Sequence, residues 1–553
     1  MGVSLVHFGA AIRSRGFLVA VILIPLLQLL QSLASLYRLP AFWRFYADPP
    51  YMYLFNSLSL GTGLTPQHVD HPGTSLQWLM AGVEHVTFLA SGSEDSLPSD
   101  IAGDPEKYLT VTGVVLALLF AASVAFFLWR VLHYVGQASA FAAGLLILAA
   151  SGLTVPWIVT ATPEALVASC AVTILAILMP SLVRRSSPLG WRAWVAIGVL
   201  MAIGVTAKIT MLPLAILFLF VVRIRGLFAI AGTTVLAAAL ILVPVYELLP
   251  RMFGWFTNLA RSSGRYGGDS PTSVTSNFLA GLETVTRDYG LTWIVLGLFA
   301  VLLVVSLRQR SAGIDWSHRI PALGVAATVL ATIAVSFKES TDRDFILLVG
   351  LVPTLGALAT AWINALILSA PEHRRRRFET LGVACLVTLA IVAVALNFRS
   401  FAEIQDINER SDAEVAILDE ASRRDGLVAH SFLAQNEFFA LMLGSEWAYH
   451  PYSDRILDRF PDNLYYNAFL STVFGKRSDG SIGYLDCGDI GPAAESGTLT
   501  FVLPGDFSVN GNRATPGEIA LADGSVVTFD TTSVEVFGDR LSAVPISGCI
   551  PPQ

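Results

Sequence analysis

Twenty-two residues between Arg15 and Arg38 carry no formal charge. A helix crosses the hydrocarbon core of a bilayer in about 20 apolar residues, so this run reads as a membrane span. Charge-free runs recur near 108–129, 134–156, 165–183, 226–246, 289–307, 320–337, 345–366 and 380–398. Of 553 residues, 54% are hydrophobic and only 14% charged, where a soluble domain has about 25%. That excludes a water-soluble enzyme. The net charge of −7 offers no basic excess for a phosphate backbone, which argues against nucleic-acid binding. The four cysteines form no C-x-x-C pair, so neither a disulfide scaffold nor a zinc site is indicated.

The stretch from Arg192 to Arg223 is ambiguous. Its 30 intervening residues are interrupted once, by Lys208, and fit either one long tilted helix or a hairpin of two short ones. Basic residues decide between them. With the hairpin there are eleven spans, and one set of short loops holds 15 Lys and Arg: Arg13, Arg15, Arg130, Arg184, Arg185, Arg192, Arg223, Arg225, Arg308, Arg310, Arg319 and Arg374 to Arg377. The opposite loops hold ten, spread over longer segments. Merging the hairpin would move nine of the fifteen outside, against the positive-inside rule. The expected topology is eleven spans in the cell (inner) membrane, N-terminus cytoplasmic and C-terminus outside. The first apolar run exceeds the usual 7–15 residue core of a signal peptide, and no small-x-small cleavage site follows it.

Two outer regions are long enough to fold: the first outer loop, 38–107, and the tail, 399–553, which follows a membrane domain of 1–398. Within the tail, Glu414–Trp447 has helix-like spacing. Thr498–Val536 reads as short strands between Pro-Gly, Asn-Gly, Pro-Gly and Asp-Gly turns. A small α+β domain is expected. Cys170 and Cys385 fall in membrane runs, where a thiol behaves as a small apolar residue. Cys487 and Cys549 both fall in the tail. They are natural disulfide partners if that compartment is oxidising, and two free thiols otherwise.

Several polar motifs flank the spans on the expected outer side. Phe45-Tyr46-Ala47-Asp48-Pro49-Pro50 follows the first, and His68-Val69-Asp70-His71-Pro72-Gly73 lies further along the same loop. Thr162-Pro163-Glu164 opens the fourth span, Thr206-Ala207-Lys208 marks the hairpin, Ser263-Gly264-Arg265-Tyr266-Gly267-Gly268 lies in a later outer loop, and Lys338 to Arg343 precedes a late span. In this order they resemble the GT-C superfamily of membrane glycosyltransferases, which includes protein O-mannosyltransferases and the aminoarabinose transferases that modify lipid A. The resemblance covers roughly 15–400; the tail carries none of it. It implies a polytopic α-helical fold and an essential acid just after the first helix, where Asp48 stands. His71-Pro72 falls on the family's His-Pro element. Three positions differ from the pattern: Pro49 follows Asp48 in place of a second acid, Gly73 follows His71-Pro72 in place of a second proline, and Asp344 follows Arg343 in place of an aromatic.

The implied reaction moves a sugar, with inversion, from a polyprenyl-phosphate donor to a hydroxyl on a glycan, lipid or protein. A carboxylate takes the hydroxyl proton as it attacks C1, a role for Asp48. Charge developing on the leaving phosphate needs cations in a dry site, and Lys208, Arg265 and Arg343 are the candidates. Asp70, His71, Glu164 and Tyr266 are placed around sugar and acceptor. Each has a plainer reading: Asp48 as a solvated loop acid, Lys208 reaching to the interface, Glu164 complementing a helix dipole. Two histidines three apart are weak support for a metal site, so no cofactor is assigned and a divalent ion is left open. Arg374 to Arg377 read as a topology determinant that meets acidic lipids, and Tyr465, Tyr466 and Trp447 as the core of a small domain. The rival functions are a secondary transporter or lipid flippase and a non-catalytic assembly subunit. Against transport, no internal repeat is visible and the first outer loop is long.

Overall fold

The structure, a computed structural model, describes residues 18–38, 42, 50–69, 73–185, 189–261, 274–308, 314–334, 342–369 and 384–396, single positions between 372 and 409, and the segments of 427–552 named below. Helices dominate the first two thirds: α1 Ile24–Arg38, α2 Pro50–Gly61, α3 Thr74–Ser91, α4 Pro105–Tyr134, α5 Gln137–Val159, α6 Pro163–Val183, α7 Trp191–Ala207, α8 Ala215–Val221, α9 Ile224–Ile241, α10 Leu291–Arg308, α11 Trp316–Ala334 and α12 Leu348–Leu368. Among the described residues, seven helices are long and apolar enough to cross a membrane: α1 with its preceding turn, α4, α6, α9, α10, α11 and α12. Shorter apolar helices at Gln137–Ala150, Trp191–Ala207, Ile209–Val221 and Ala384–Leu396 occupy the remaining places read from the charge-free runs. The polytopic α-helical architecture is as expected.

Helix α7 ends at Lys208, whose backbone is extended (φ −155°, ψ 136°), and a 3₁₀ segment, Ile209–Leu214, follows before α8. Pro213 supplies the reason. A helix running through this point would lose the Pro213 N–H and set its ring against the carbonyl four residues earlier. The reversal itself shows in the packing of α7 on α9. Gly226 lies against Trp194, and Gly198 against Ile230 and Thr233, so residue numbers rise together and the two helices are parallel. Parallel neighbours require the chain between them to travel back. The hairpin replaces the single tilted helix.

The chain divides into two compact units: Met1–Arg38, His68–Met80 and Thr110–Ile404 form one, and Leu39–Gln67, Ala81–Leu109 and Gln405–Gln553 the other. In the first, α6 is buried along most of its length. At its far end the Arg185 N–H donates to the Ser317 carbonyl at 2.9 Å, and Arg185, Arg223 and Trp316 line one depression. Three loops assigned to one side by their arginines therefore meet at one end.

In the second unit, strands β1 Leu427–His430, β2 Asn463–Asn467, β3 Thr472–Lys476, β4 Ile482–Leu485, β5 Leu499–Pro504, β6 Ser508–Val509, β7 Asn512–Arg513, β8 Glu518–Ala520, β9 Val526–Phe529, β10 Glu535–Phe537 and β11 Leu541–Ile550 accompany helix α13, Glu437–Glu446. The main sheet runs β4-β3-β2-β1-β5-β11-β9-β8, with β10 on β11. Strand β1 is central and parallel to both neighbours; the other pairings are antiparallel. Gly524, at φ +87°, makes the Asp-Gly turn between β8 and β9, a backbone region glycine enters without a Cβ penalty. Leu427–His430 lies inside the stretch expected to be helical. A run as short as Leu-Val-Ala-His cannot be told from a helix by periodicity, and pairing on both sides makes it a strand. Tyr465 and Tyr466 are buried core residues. Cys487 and Cys549 are joined by a disulfide, their Cα atoms 5.4 Å apart.

Candidate active site

The first turn of α6 begins Pro163-Glu164. Proline fits the first helical position because its missing N–H has no partner there, and an acid suits the positive end of the helix dipole. Glu164 is buried beside the break that ends α7. From that break the Lys208 ammonium donates to Glu164 Oε1 at 2.7 Å and to Asp344 Oδ1 at 2.7 Å. The three side chains are 7%, 2% and 5% exposed. Asp344 sits in a 3₁₀ turn, Asp342–Phe345, that leads into α12. The adjacent Arg343 is also buried, its guanidinium 5.8 Å from the centroid of the Trp157 ring. Two cations and two carboxylates thus share one dry place. Burial of one without the others would be costly, and the balance is what makes the cluster tolerable.

Lys208, Glu164 and Arg343 were singled out from sequence, and the structure brings them together. Asp344 was missed as a site residue. Its signal was present: a lone lysine inside apolar sequence needs counter-charge, and an acid replaces the family's aromatic right beside Arg343. Asp48, Asp70, His71, Arg265 and Tyr266 lie outside the described residues. Gly73, which follows the His71-Pro72 pair, is held against this site. Its N–H donates to the Ala207 carbonyl at 3.1 Å, and the Ser75 hydroxyl to the Ile203 carbonyl at 2.8 Å. The start of α3 is therefore tied to the last turn of α7, next to Lys208. Burial, and after it the nearby Arg251 charge, lowers the His68 ring from 6.5 to about 4.

An apolar cleft of about 240 Å³ lies between the ends of several spans, lined among others by Leu146 and Ala149 of α5, Leu348 and Val352 of α12, and Val392 and Leu396. Arg287, Asp288 and Tyr289 also line it. The Tyr289 ring meets Phe345 edge-on at 6.4 Å, and Phe345 directly follows Asp344. The cleft is thus connected to the Lys208 cluster through Tyr289 and Phe345. An apolar slot of this kind suits a long hydrocarbon chain. Among the described residues, no group of three or more His, Cys, Asp and Glu is arranged to hold a metal ion.

No family model matches the sequence, and no curated protein does. Solved structures do. The chain resembles ArnT from Cupriavidus metallidurans in the apo state (14% identity, TM-score 0.51) and bound to undecaprenyl phosphate (15% identity, TM-score 0.50), with 95% of this chain and 97% of that chain covered in each case. It also resembles the oligosaccharyltransferase of Archaeoglobus fulgidus tethered to an acceptor peptide, at 11% identity and a TM-score of 0.45, over 86% of this chain and 74% of that one. The likeness to ArnT shows the fold alone, and it is the polytopic α-helical fold of GT-C type expected from the sequence.

Proposed function

We propose that this chain is an inverting GT-C glycosyltransferase that takes a sugar from a polyprenyl phosphate and gives it to a hydroxyl acceptor at the outer membrane face. The observation that carries the reading is the buried cluster of Lys208, Glu164, Asp344 and Arg343, with an apolar cleft of about 240 Å³ connected to it through Phe345 and Tyr289. ArnT, with the same fold, has been crystallised with undecaprenyl phosphate. In this reading the polyprenyl chain lies in the cleft. Lys208 keeps one of its three N–H donors after serving Glu164 and Asp344, and turns it to the phosphate along with Arg343 and Arg265.

The acceptor oxygen attacks the sugar C1, its bond to carbon forms, and the C1–O bond to phosphate breaks. The electron pair leaves with the polyprenyl phosphate, and the proton goes to the Asp48 carboxylate. Attack from the face opposite the leaving group inverts C1. Asp70, His71, Glu164 and Tyr266 orient sugar and acceptor. A free aspartate has a pKa near 3.9 and is a weak base at pH 7. It works because the acceptor oxygen becomes acidic only as its bond to C1 forms.

The test is transfer from a panel of radiolabelled polyprenyl-phosphate sugars. Asp48→Asn keeps the side-chain shape but cannot accept the proton, and should lower turnover about 10²–10⁴-fold while donor binding persists. Asp70→Asn should cost less. Turnover should change little from pH 8 down to about 5, because Asp48 stays ionised over that range. Near-normal transfer by Asp48→Asn would remove the base from the mechanism and put the transporter reading ahead.

A further inference from the structure

Arg185 and Arg223 are distant in sequence and line one depression of about 380 Å³, together with Trp316. Its apolar part is made by Val221 and Val222, both buried, and by Ile320. Backbone sets the geometry. The Arg185 N–H donates to the Ser317 carbonyl at 2.9 Å, which ties the end of α6 to the first turn of α11. Arg223 stands between Val222, which closes α8, and Ile224, which opens α9. Helix ends carry partial charges, positive at the N-terminus and negative at the C-terminus. Here they offset one another, since α9 and α11 begin at the depression while α6 and α8 end beside it. The two guanidiniums are left over. No acid is among the described residues that line the depression. Asp315, just before Trp316, is turned onto its own helix: its Oδ1 accepts the Ser317 N–H at 2.9 Å and lies 2.8 Å from the His318 ring nitrogen. The depression suits an anion.

Its setting says which kind. Helix α9 is long and apolar enough to cross a membrane. Ile224, Phe228 and Val235, at spacings of four and seven, share one of its faces, and all three are exposed. On a membrane span such a face meets lipid. The stripe starts at the residue after Arg223. Trp316 is 57% exposed, and tryptophan, part apolar and part polar, favours the level of the lipid head groups. The arginines thus stand where a lipid-facing surface begins. A soluble anion would use the arginines only, whereas an anionic lipid would use the arginines and the stripe.

We propose that this depression binds the phosphodiester head group of an anionic phospholipid, held by Arg185 and Arg223, with acyl chains along the Ile224, Phe228 and Val235 face. The site is separate from the Lys208 cluster and does not depend on the transferase reading. One basic residue at a membrane surface is worth about fivefold in affinity for anionic lipid, so the pair is worth about 25-fold. A phosphatidylcholine head carries its own cation beside the phosphate and gains little from either arginine.

The test uses the full chain in detergent with equimolar dioleoyl-phosphatidylglycerol and dioleoyl-phosphatidylcholine, and native mass spectrometry to measure retained lipid. The wild type should prefer phosphatidylglycerol by about tenfold or more, and Arg185→Gln with Arg223→Gln should remove most of that preference. Arg192→Gln with Arg308→Gln takes the same charge from exposed arginines that do not line the depression. That control should keep the wild-type preference. Glycerol 3-phosphate, the soluble counterpart of the head group, should fail to displace the lipid at millimolar concentration. If the first double variant does not fold, Arg223→Gln and Trp316→Ala decide singly, and each should weaken the preference several-fold. Equal effects of the two double variants would mean diffuse charge attraction and overturn the site. Displacement by glycerol 3-phosphate would overturn the lipid assignment, and a wild type without preference would overturn both.

Discussion

At the scale of single residues, the buried charges carry most of the consequences. From sequence alone, Lys208→Met should leave the membrane part no less stable, because an apolar side chain suits lipid. The structure reverses that expectation. Removing the ammonium leaves Glu164 and Asp344 buried without their shared donor, and breaking a buried pair in this way costs about 3–5 kcal/mol. Lys208→Met should melt well below the wild type. Adding Glu164→Gln and Asp344→Asn should recover part of the loss, and equal melting temperatures for wild type and Lys208→Met would show that the pairs are solvated. Glu84 behaves differently. It is buried in the first outer loop, accepts a hydrogen bond from the Ser57 hydroxyl, and has its carboxyl pushed up from about 4.5 to about 8 by burial. The folded state therefore keeps a proton that the unfolded chain gives up. Stability from this group is full below about pH 4.5, is lost as pH rises toward about 8, and is level above that. The slope is at most about 1.4 kcal/mol per pH unit. Glu84→Gln keeps the acceptor for Ser57 and removes the titration. Melts at pH 5 and pH 8 should differ less in Glu84→Gln than in the wild type; an equal difference would mean that Glu84 is ionised in the fold.

Among the elements, the break at Lys208 was legible and the central strand was not. The break announces itself in one dimension, because Lys208 and Pro213 interrupt an otherwise apolar run and the count of basic residues needs an extra crossing. Strand β1 has no such mark. Its extended state depends on β2 and β5, which come about 35 and 70 residues later and supply its hydrogen bonds. The seat of α13 on α2 is likewise invisible in sequence, since Gly444 matters only for the distance at which Tyr51 and Phe55 meet it. Gly444→Ala places a methyl 2.5 Å from the Tyr51 carbonyl oxygen. Overpacking of this kind costs typically about 1–3 kcal/mol. Gly444→Ala should lower the melting temperature, and an unchanged melt would mean that α13 yields freely.

For the whole molecule, charge bias predicts that the C-terminus lies outside. A reporter enzyme active only beyond the cytoplasm, fused after Gln553, should be active; activity of a cytoplasmic reporter there would invert the topology. The disulfide Cys487–Cys549 spans 62 residues, and a loop of that size limits its contribution to about 4 kcal/mol, less after any native-state strain. Reduction should lower the stability of the tail, and mass spectrometry of alkylated protein should find neither thiol free. The sequence by itself determined the polytopic class and the helix break, because lipid tolerates few charges and no unsatisfied backbone. These rules act on each segment separately, so a single chain displays them. It also marked Glu164, Lys208 and Arg343, since charges at membrane depth are rare enough to stand out. Tertiary structure alone decided what those charges do to one another. Asp344 is 136 residues from Lys208 in the chain and 2.7 Å away in space. Glu106 has the look of an ordinary helix-start acid until Phe42 and Tyr51 are seen on its two oxygens. A partner's identity is a property of folded distance, and no local rule encodes it.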